Sequence, residues 1–119
     1  AAVLQAKLDL PGIPYFDIRQ ACSGFVYGLA IADKFIRSGA HQCVLVVGAE
    51  VQSKALDLSP SGKNVSALFG DGAGAVIVEA CEVKDPAKDP HIVCTELHAD
   101  GTFAKELWIK APGCGLGPK

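Results

Sequence analysis

The chain has 119 residues, of which 50% are hydrophobic, enough to build the core of one ordinary domain. Its formal net charge of −2, with acidic and basic residues mixed, lacks the clustered Lys and Arg that nucleic acid or an anionic membrane surface would require. No apolar run reaches the roughly 20 residues of a membrane-spanning helix, and the sequence shows no signal segment, so we expect a cytosolic protein with no membrane partner.

The cysteines and histidines lack the spacing of a disulfide framework or a metal site. Five cysteines, an odd number, are scattered without a CxxC pair. The three histidines show no i, i+4 pairing, so we predict no metal site. We expect the cysteines to be free thiols, most of them buried as small apolar residues, including Cys43 within one strand and Cys81 at the end of another.

The first part of the chain predicts a helix, a strand and a second helix. Residues 1–8 suit a helix that the following proline and glycine would end. Residues 13–19 mix β-branched and aromatic side chains and predict a short strand. Residues 23–38 repeat apolar side chains at helical spacing, and Gly39 is placed to end this helix.

The remaining elements alternate strands with polar loops. Residues 42–50 form a continuous apolar run, typical of a strand covered on both faces. A strand, a helix and a strand at this spacing predict a parallel βαβ crossover, and hence an α/β fold. Residues 68–80 pass through a glycine-rich turn into another strand, and residues 91–98 predict a strand antiparallel to it. The polar loop 57–64 and the exposed turn 84–90 separate these strands.

The two ends of the sequence predict a fragment of a longer protein. There is no methionine, the first helix has no N-cap residue before it, and the glycine- and proline-rich end has no closing element. We therefore interpret residues 1–119 as a single partial domain.

The glycine-rich segment 70–74 does not predict a nucleotide site. Dinucleotide fingerprints place their glycines after a strand and at the start of a helix, whereas these glycines lead into a strand. Asp71 within the segment could act in catalysis, but an Asp between glycines more often forms a turn by bonding its own backbone. Gly24 and Gly28, in the second helix, favour close packing of another backbone over a direct ligand role.

Cys22 stands where the predicted strand 13–19 meets the second helix. A thiol in the first turn of a helix lies near unpaired N–H groups and the positive end of the helix dipole, which favour a thiolate. A sharp turn flanked by Ala21, Ser23 and Gly24 would also expose the sulfur, as in nucleophile elbows. These features predict a nucleophile, but a lone cysteine more often packs than reacts, and this pattern alone leaves both interpretations open.

Several stretches of the sequence together resemble one known family. They are DIRQACSGFVYGLAIADKFIRSGA, LVVGAE, LFGDGAGAVIVE and LHADGT, in that order along nearly the whole chain. The combination of ACSGF with FGDGAGA resembles the β-ketoacyl-acyl carrier protein synthase III family of thiolase-fold condensing enzymes. The resemblance implies a thiolase-like α/β fold of αβαβα layers. This chain would form the latter part of the first half and the connection to the second half from about residue 82.

The resemblance implies acyltransferase chemistry at Cys22. In that family the matching cysteine takes an acyl group from acyl-CoA as a thioester, and malonyl-acyl carrier protein then loses carbon dioxide and attacks it. The backbone N–H of Cys22 would donate to the oxyanion. The resemblance thus implies a cytoplasmic enzyme that initiates fatty-acid synthesis, with acyl-CoA and acyl carrier protein as partners and with no metal or other cofactor.

Other positions take their expected roles from the same resemblance. Phe69 matches a position that lines the acyl tunnel, and Trp108, or its neighbour Leu107, falls where a loop borders that pocket. Lys63 stands where the family usually carries an arginine that contacts the CoA nucleotide, so the charge is kept and the planar guanidinium is lost. Residues 13–19 would pair across a homodimer. The family's catalytic His and Asn belong to its second half, outside this chain.

Two alternatives remain open beside this interpretation. One is a related thiolase-fold enzyme of polyketide or secondary-metabolite assembly, and donor preference separates it, because an initiator of fatty-acid synthesis should prefer short acyl-CoA. The other is a non-catalytic half-domain that binds acyl carrier protein, which would show no acylation at Cys22. In every case we expect the isolated 119-residue chain to be unable to complete condensation.

Overall fold

The computed structural model describes residues 1–108, in which one helix packs against a two-stranded sheet. The elements, in chain order, are α1 (Ala2–Lys7), a 3-10 turn (Ala21–Ser23), α2 (Gly24–Arg37), β1 (Cys43–Glu50), α3 (Lys63–Ser66) and β2 (Gly72–Glu79). The predicted helix at 1–8 and the predicted turn at 84–90 are confirmed. Helix α2 contacts both strands and the 3-10 turn before it.

Helix α2 ends where the sequence predicts. The chain leaves the helix at Gly39, whose φ of +76° is a left-handed conformation that glycine adopts with no Cβ penalty. The Ser38 N–H donates to the carbonyl of Lys34 at 3.0 Å, which satisfies one of the last carbonyls of the helix. The helix predicted over 23–38 is therefore confirmed.

The two strands pair antiparallel along their whole length. The register joins Cys43 to Glu79 at one end and Glu50 to Gly72 at the other. Both strands were predicted and are confirmed, but the predicted parallel crossover is wrong. Strand β1 takes its partner from later in the chain, and residues 13–19 form no strand beside it.

Residues 13–19 and 91–98 form neither helix nor strand, so both strands predicted there are wrong for the described chain. A strand exists through hydrogen bonds to a neighbouring strand, and within residues 1–108 β1 and β2 pair only with each other. Phe16, in the first of these segments, makes a side-chain contact instead. The Phe16 ring meets the Phe35 ring edge to face, with ring centroids 6.2 Å apart.

The core of the described chain lies where α2 crosses β1. Its buried apolar residues are Ala30, Ala32 and Val46. Gly28 lies so close to this strand that a Cβ added to it would be 2.8 Å from Val46 Cγ1. A close approach is therefore present at Gly28, but the neighbour is a side chain, so the predicted packing of another backbone is wrong for the described chain. At Gly24 nothing in the described chain lies within 4 Å of such a Cβ.

Helix α2 and strand β1 run in opposite directions. At the end of the helix, Arg37 lines the same hollow as Val78 and Glu79. Glu79 pairs with Cys43, so the end of α2 lies beside the start of β1. The start of α2 must then lie toward the end of β1 and the start of β2. The 3-10 turn before α2 and the loop between the strands are therefore at the same end of the fold.

Four cysteines are described, and all are free and exposed: Cys22, Cys43, Cys81 and Cys94. Free thiols were predicted and are confirmed for these four, but the predicted burial of Cys43 and Cys81 is wrong. Side chains of a strand alternate between its two faces, and β1 has one helix against it rather than a cover on both faces. Cys114 lies outside the described residues.

Candidate functional site

The turn that carries Cys22 is strained, and its neighbours hold it in place. Ala21 has a φ of +45°, a left-handed conformation that crowds its Cβ. Such an outlier costs on the order of 1–3 kcal/mol and persists where surrounding structure enforces it. Here Ser23 Oγ donates to the carbonyl of Gln20 at 3.1 Å, and the Ser23 N–H donates to the same oxygen at 3.3 Å. The elbow predicted before the helix is thus a 3-10 turn that leads directly into α2.

Cys22 is exposed at this elbow, as a nucleophile that meets a substrate must be. Ser23 occupies the N-cap position of α2 but makes no side-chain bond to the first helix amides, and its hydroxyl donates to the carbonyl of Gln20. Amides in the first turn of a helix that lack such a cap can donate to an anion. No residue of the described chain fills the position that a Gly24 side chain would take, so space is open beside the turn.

A second polar cluster lies at the same end of the fold. The Asp71 carboxylate accepts hydrogen bonds from the N–H groups of Gln52 and Ser53, at 2.7 and 2.8 Å, and from Ser53 Oγ at 2.6 Å. The Ser53 hydroxyl first, and the two amides after it, hold the pKa of Asp71 below its usual value. The prediction that Asp71 bonds its own backbone is wrong, since it binds backbone 18 and 19 residues earlier.

The loop between β1 and β2 carries two further residues of the predicted site. Lys63 is exposed at the start of α3, and Phe69 is half-buried shortly before β2. Because this loop joins the end of β1 to the start of β2, it lies at the end of the fold where Cys22 is exposed. The topology therefore places the base of the loop that carries Lys63 and Phe69 at the end of the sheet where Cys22 is exposed, and no hydrogen bond within residues 1–108 joins the three residues.

Trp108 is the last residue that the structure describes. It is 50% exposed, and its neighbour Leu107 is 57% exposed. Within the described chain no aromatic contact or hydrogen bond connects the Trp108 side chain to the elbow or to the loop between the strands. The predicted contribution of Trp108 to the pocket stays a prediction.

The described histidines interact with groups close to them. His91 Nδ1 lies 2.7 Å from the carbonyl oxygen of Asp89, and the His41 ring meets Phe35 edge to face at a centroid distance of 5.3 Å. Among residues 1–108, no three His, Cys, Asp or Glu side chains are grouped in a way that could hold a metal ion. In the same residues, no helix is long and apolar enough to cross a membrane.

The opposite end of α2 is closed by a cluster of ion pairs. Asp33 is 7% exposed and accepts hydrogen bonds from Lys34 Nζ at 2.8 Å and from Arg37 Nε at 2.6 Å. Arg37 also donates to the carbonyl of Ile92 at 3.3 Å, which ties the segment after β2 to the helix. The Lys34 hydrogen bond first, and the Arg37 hydrogen bond second, lower the pKa of Asp33. This end of the helix is therefore a structural junction.

Known sequences show which proteins this chain is similar to. A sequence model of the family described as 3-oxoacyl-[acyl-carrier-protein (ACP)] synthase III matches residues 16–101, more than half of the chain. The β-ketoacyl-[acyl-carrier-protein] synthase III 1 of Vibrio parahaemolyticus is 45% identical over 115 residues, 97% of this chain and 34% of that protein. The β-ketoacyl-[acyl-carrier-protein] synthase III of Xanthomonas campestris pv. campestris is 48% identical over 108 residues, 91% of this chain and 31% of that protein. The chain thus spans about a third of the curated relatives it matches.

Solved structures show the same similarity in three dimensions. The 3-oxoacyl-[acyl-carrier-protein] synthase III of Aquifex aeolicus VF5 is 51% identical and superposes with a TM-score of 0.66, covering 71% of this chain and 27% of that one. The 3-oxoacyl-(acyl carrier protein) synthase III of Pseudomonas aeruginosa PAO1 is 41% identical, with a TM-score of 0.63, covering 71% of this chain and 26% of that one. The predicted thiolase-like α/β fold is therefore confirmed, with the described elements as a part of it.

Proposed function

The chain belongs to the 3-oxoacyl-[acyl-carrier-protein] synthase III family, and from this premise we propose that it is the nucleophile-bearing part of a condensing enzyme that initiates fatty-acid synthesis. It would form the latter part of the first thiolase-like half, and from about residue 82 the connection to the second half. The chain covers 34% of the Vibrio parahaemolyticus relative, so the remaining length has room for the catalytic His and Asn that the family resemblance implies.

The proposed reaction has two steps at Cys22. The thiolate sulfur attacks the carbonyl carbon of an acyl-CoA thioester, the C–S bond to CoA breaks, and CoA leaves as a thiolate that takes up a proton. Malonyl-acyl carrier protein then loses carbon dioxide, and its carbanion attacks the acyl-cysteine carbonyl. A C–C bond forms, the C–S bond to Cys22 breaks, and the thiolate is restored with no metal or other cofactor.

The geometry of the elbow is the observation that carries this proposal. Cys22 is exposed directly after Ala21, whose φ of +45° is the kind of strain that proteins retain at functional sites. The other described cysteines are exposed as well, so what distinguishes Cys22 is its position in this strained turn directly before α2. The Cys22 N–H would donate to the oxyanion of each tetrahedral intermediate, and losing one such donor costs on the order of 3 kcal/mol of transition-state stabilisation.

We assign the substrates of the proposed reaction to residues at the same end of the fold. Lys63 is exposed and positively charged, which suits the phosphates of CoA as a point charge. Half-buried Phe69 would line the acyl chain, and Trp108 would border the same pocket. An unchanged KM for acyl-CoA after Lys63→Ala substitution in the full-length enzyme would contradict the role of Lys63.

The same family membership supports a homodimer formed through residues 13–19. These residues form no strand within the chain, and Ile13, Tyr15 and Phe16 are 49%, 50% and 57% exposed. An unpaired segment of this composition can gain backbone hydrogen bonds from a second copy. We further propose that the enzyme is cytoplasmic and that acyl carrier protein is its partner. Sedimentation of the full-length enzyme as a monomer at micromolar concentration would contradict the homodimer.

Acylation of Cys22 is the direct test of the function. The full-length enzyme should gain the mass of one acyl group on incubation with a short acyl-CoA, and peptide mapping should place that group on Cys22. The Cys22→Ala variant should gain none, because no other described cysteine lies at a helix-opening turn.

Cys43→Ala is the matched control, since Cys43 is also exposed but lies in β1. It should be acylated as the wild type is. Acylation that persists in Cys22→Ala, or its absence from the wild type with every acyl-CoA offered, would refute the proposed function.

A further inference from the structure

Asp71 closes the base of the loop between the strands. Strand β1 ends at Glu50 and β2 begins at Gly72, so the antiparallel ladder stops there. One step beyond, the Asp71 carboxylate binds the amides of Gln52 and Ser53 and the Ser53 hydroxyl, at 2.7, 2.8 and 2.6 Å. The carboxylate therefore links the segment after β1 to the segment before β2 just beyond the last pair of the ladder.

The rest of the loop makes no other hydrogen bond or ion pair to the surrounding part of the described chain. Within residues 1–108, no hydrogen bond or ion pair joins residues 54–70 to a residue outside the loop. Helix α3, inside the loop, contacts no other described helix or strand. The hydrogen bonds that hold the loop to the sheet are thus those of Asp71 at its base and the bond from Gln52 Nε2 to Glu50 Oε2 at 2.9 Å.

This loop lies at the end of the fold where Cys22 is exposed, and it carries Lys63 and Phe69. Those two residues are the ones assigned above to the CoA and the acyl chain of the donor. Anything that moves the loop base would move both relative to Cys22, and a shift of about 1 Å in a substrate-positioning group can cost up to about a hundredfold in rate.

We propose that Asp71 is a positioning residue for the acyl-CoA donor, through the three hydrogen bonds that hold the loop 51–71 at the Cys22 end of the sheet. The inference rests on the proposed function and adds a determinant of donor binding to it. Asp71 acts through Lys63 and Phe69 rather than by contact with the reacting atoms.

The hydrogen-bond pattern allows a positioning role to be separated from a role of the Asp71 charge or proton. Oδ1 accepts both amides and Oδ2 accepts the Ser53 hydroxyl. In Asp71→Asn the amide oxygen can still accept both N–H groups, and the new NH2 can donate to Ser53 Oγ. In Asp71→Ala all of these bonds are lost. A positioning residue should tolerate Asn and not Ala, whereas a proton-transferring carboxylate should tolerate neither.

The experiment measures acylation kinetics of the full-length enzyme with a short acyl-CoA. We expect Asp71→Ala to lower kcat/KM on the order of tenfold or more, almost entirely through a higher KM, and Asp71→Asn to stay within about threefold of wild type. Ser53→Ala removes only the hydroxyl bond and should raise KM by a smaller factor. If Asp71→Ala does not fold, Ser53→Ala is the deciding variant. An unchanged KM for acyl-CoA in Ser53→Ala would then overturn the proposal.

Asp89→Ala is the matched control, because Asp89 also accepts two backbone amides, those of Lys84 and Asp85, at 2.9 Å each, but in the turn after β2. The KM of the Asp89→Ala variant for acyl-CoA should equal that of the wild type. An unchanged KM in Asp71→Ala, or equal damage in Asp71→Asn, would overturn the inference while Cys22 is still acylated. A wild-type enzyme that is never acylated at Cys22 would overturn the proposed function, and this inference with it.

Discussion

The two ends of α2 differ in how far the described chain satisfies their groups. At the C-terminal end, the buried Asp33 has two cationic partners, and Arg37 reaches on to the carbonyl of Ile92. At the N-terminal end, Ala21 is strained, Cys22 is exposed and nothing in the described chain approaches Gly24. The polar groups at one end are paired, whereas the other end keeps an exposed thiol and open space.

This difference indicates which part of α2 is the candidate site and which parts stabilise the fold. Proteins relax strain and pair polar groups unless function requires otherwise, so the unrelaxed end is the better candidate for a site. Gly28 lies between the ends and sets the distance of α2 from β1 through Val46. Substitutions at the three places should therefore differ in kind: stability at the middle and the C-terminal end, and chemistry at the N-terminal end.

The largest effect on stability should come from Gly28→Ala, which would press helix α2 against Val46 of β1. A Cβ there would lie 2.8 Å from Cγ1 of the buried, stiff Val46. Overpacking of this kind costs about 1–3 kcal/mol, against which the better helix propensity of Ala returns about 1 kcal/mol. We expect a lower free energy of unfolding in denaturant titrations of the full-length enzyme.

Gly24→Ala makes the same chemical change in the same helix, where nothing in the described chain lies within 4 Å. It should be neutral or stabilising by up to about 1 kcal/mol. If Gly28→Ala were as stable as Gly24→Ala, the contact with Val46 would not limit the approach of helix and strand.

Sequence reasoning predicted the local features of this comparison well. The helix over 23–38, its end at Gly39 and the elbow at Cys22 depend on residues close in sequence, and all three are present. Apolar periodicity and a single left-handed glycine were enough to predict them, because helices satisfy their backbone within one segment.

Features that depend on a partner were predicted poorly. Residues 13–19 have strand composition, but a strand needs a neighbour, and β1 pairs with β2 instead. Cys43 was expected to be buried because its strand is apolar, yet exposure depends on what covers the sheet. The hydrogen bonds of Asp71 to residues 52 and 53 were missed for the same reason. The only sequence signal was a serine soon after one strand and an aspartate just before the other.

Asp33→Asn tests the ion pairs at the C-terminal end of α2 and should lower the free energy of unfolding by less than Gly28→Ala does. Its partners Lys34 and Arg37 are 70% and 59% exposed, so solvent screens the ion pairs, and we expect a loss of about 1 kcal/mol at neutral pH. Acylation of Cys22 should be unchanged. Glu96→Gln is the control, because Glu96 is 80% exposed and lies 4.0 Å from His98, and it should change stability by less.

The pH dependence follows from the lowered pKa of Asp33, which the hydrogen bonds from Lys34 and then Arg37 cause. A carboxyl whose pKa is lower in the folded state contributes stability above its unfolded pKa of about 4, and that contribution is lost as the pH falls through the lowered folded value. The stability difference between wild type and Asp33→Asn should therefore be constant from pH 7 to pH 5 and shrink below about pH 4. A difference that grows as the pH falls would contradict this assignment.

The smallest expected effect, and the one most specific to the open end, is that of Ala21→Gly. Glycine adopts a φ of +45° without crowding a Cβ, so relief of strain should raise stability by about 0.5–1 kcal/mol, even after the greater flexibility of glycine in the unfolded chain. The same relief loosens the turn that presents Cys22, and we expect the acylation rate to fall by a factor of about two to five. Ala67→Gly is the control, because Ala67 has an ordinary φ of −71° and gains nothing from glycine, so it should be destabilised. Opposite signs for the two alanines would show that the strain before Cys22 is a local property of the elbow, and a stability loss at both would show that Ala21 is not strained.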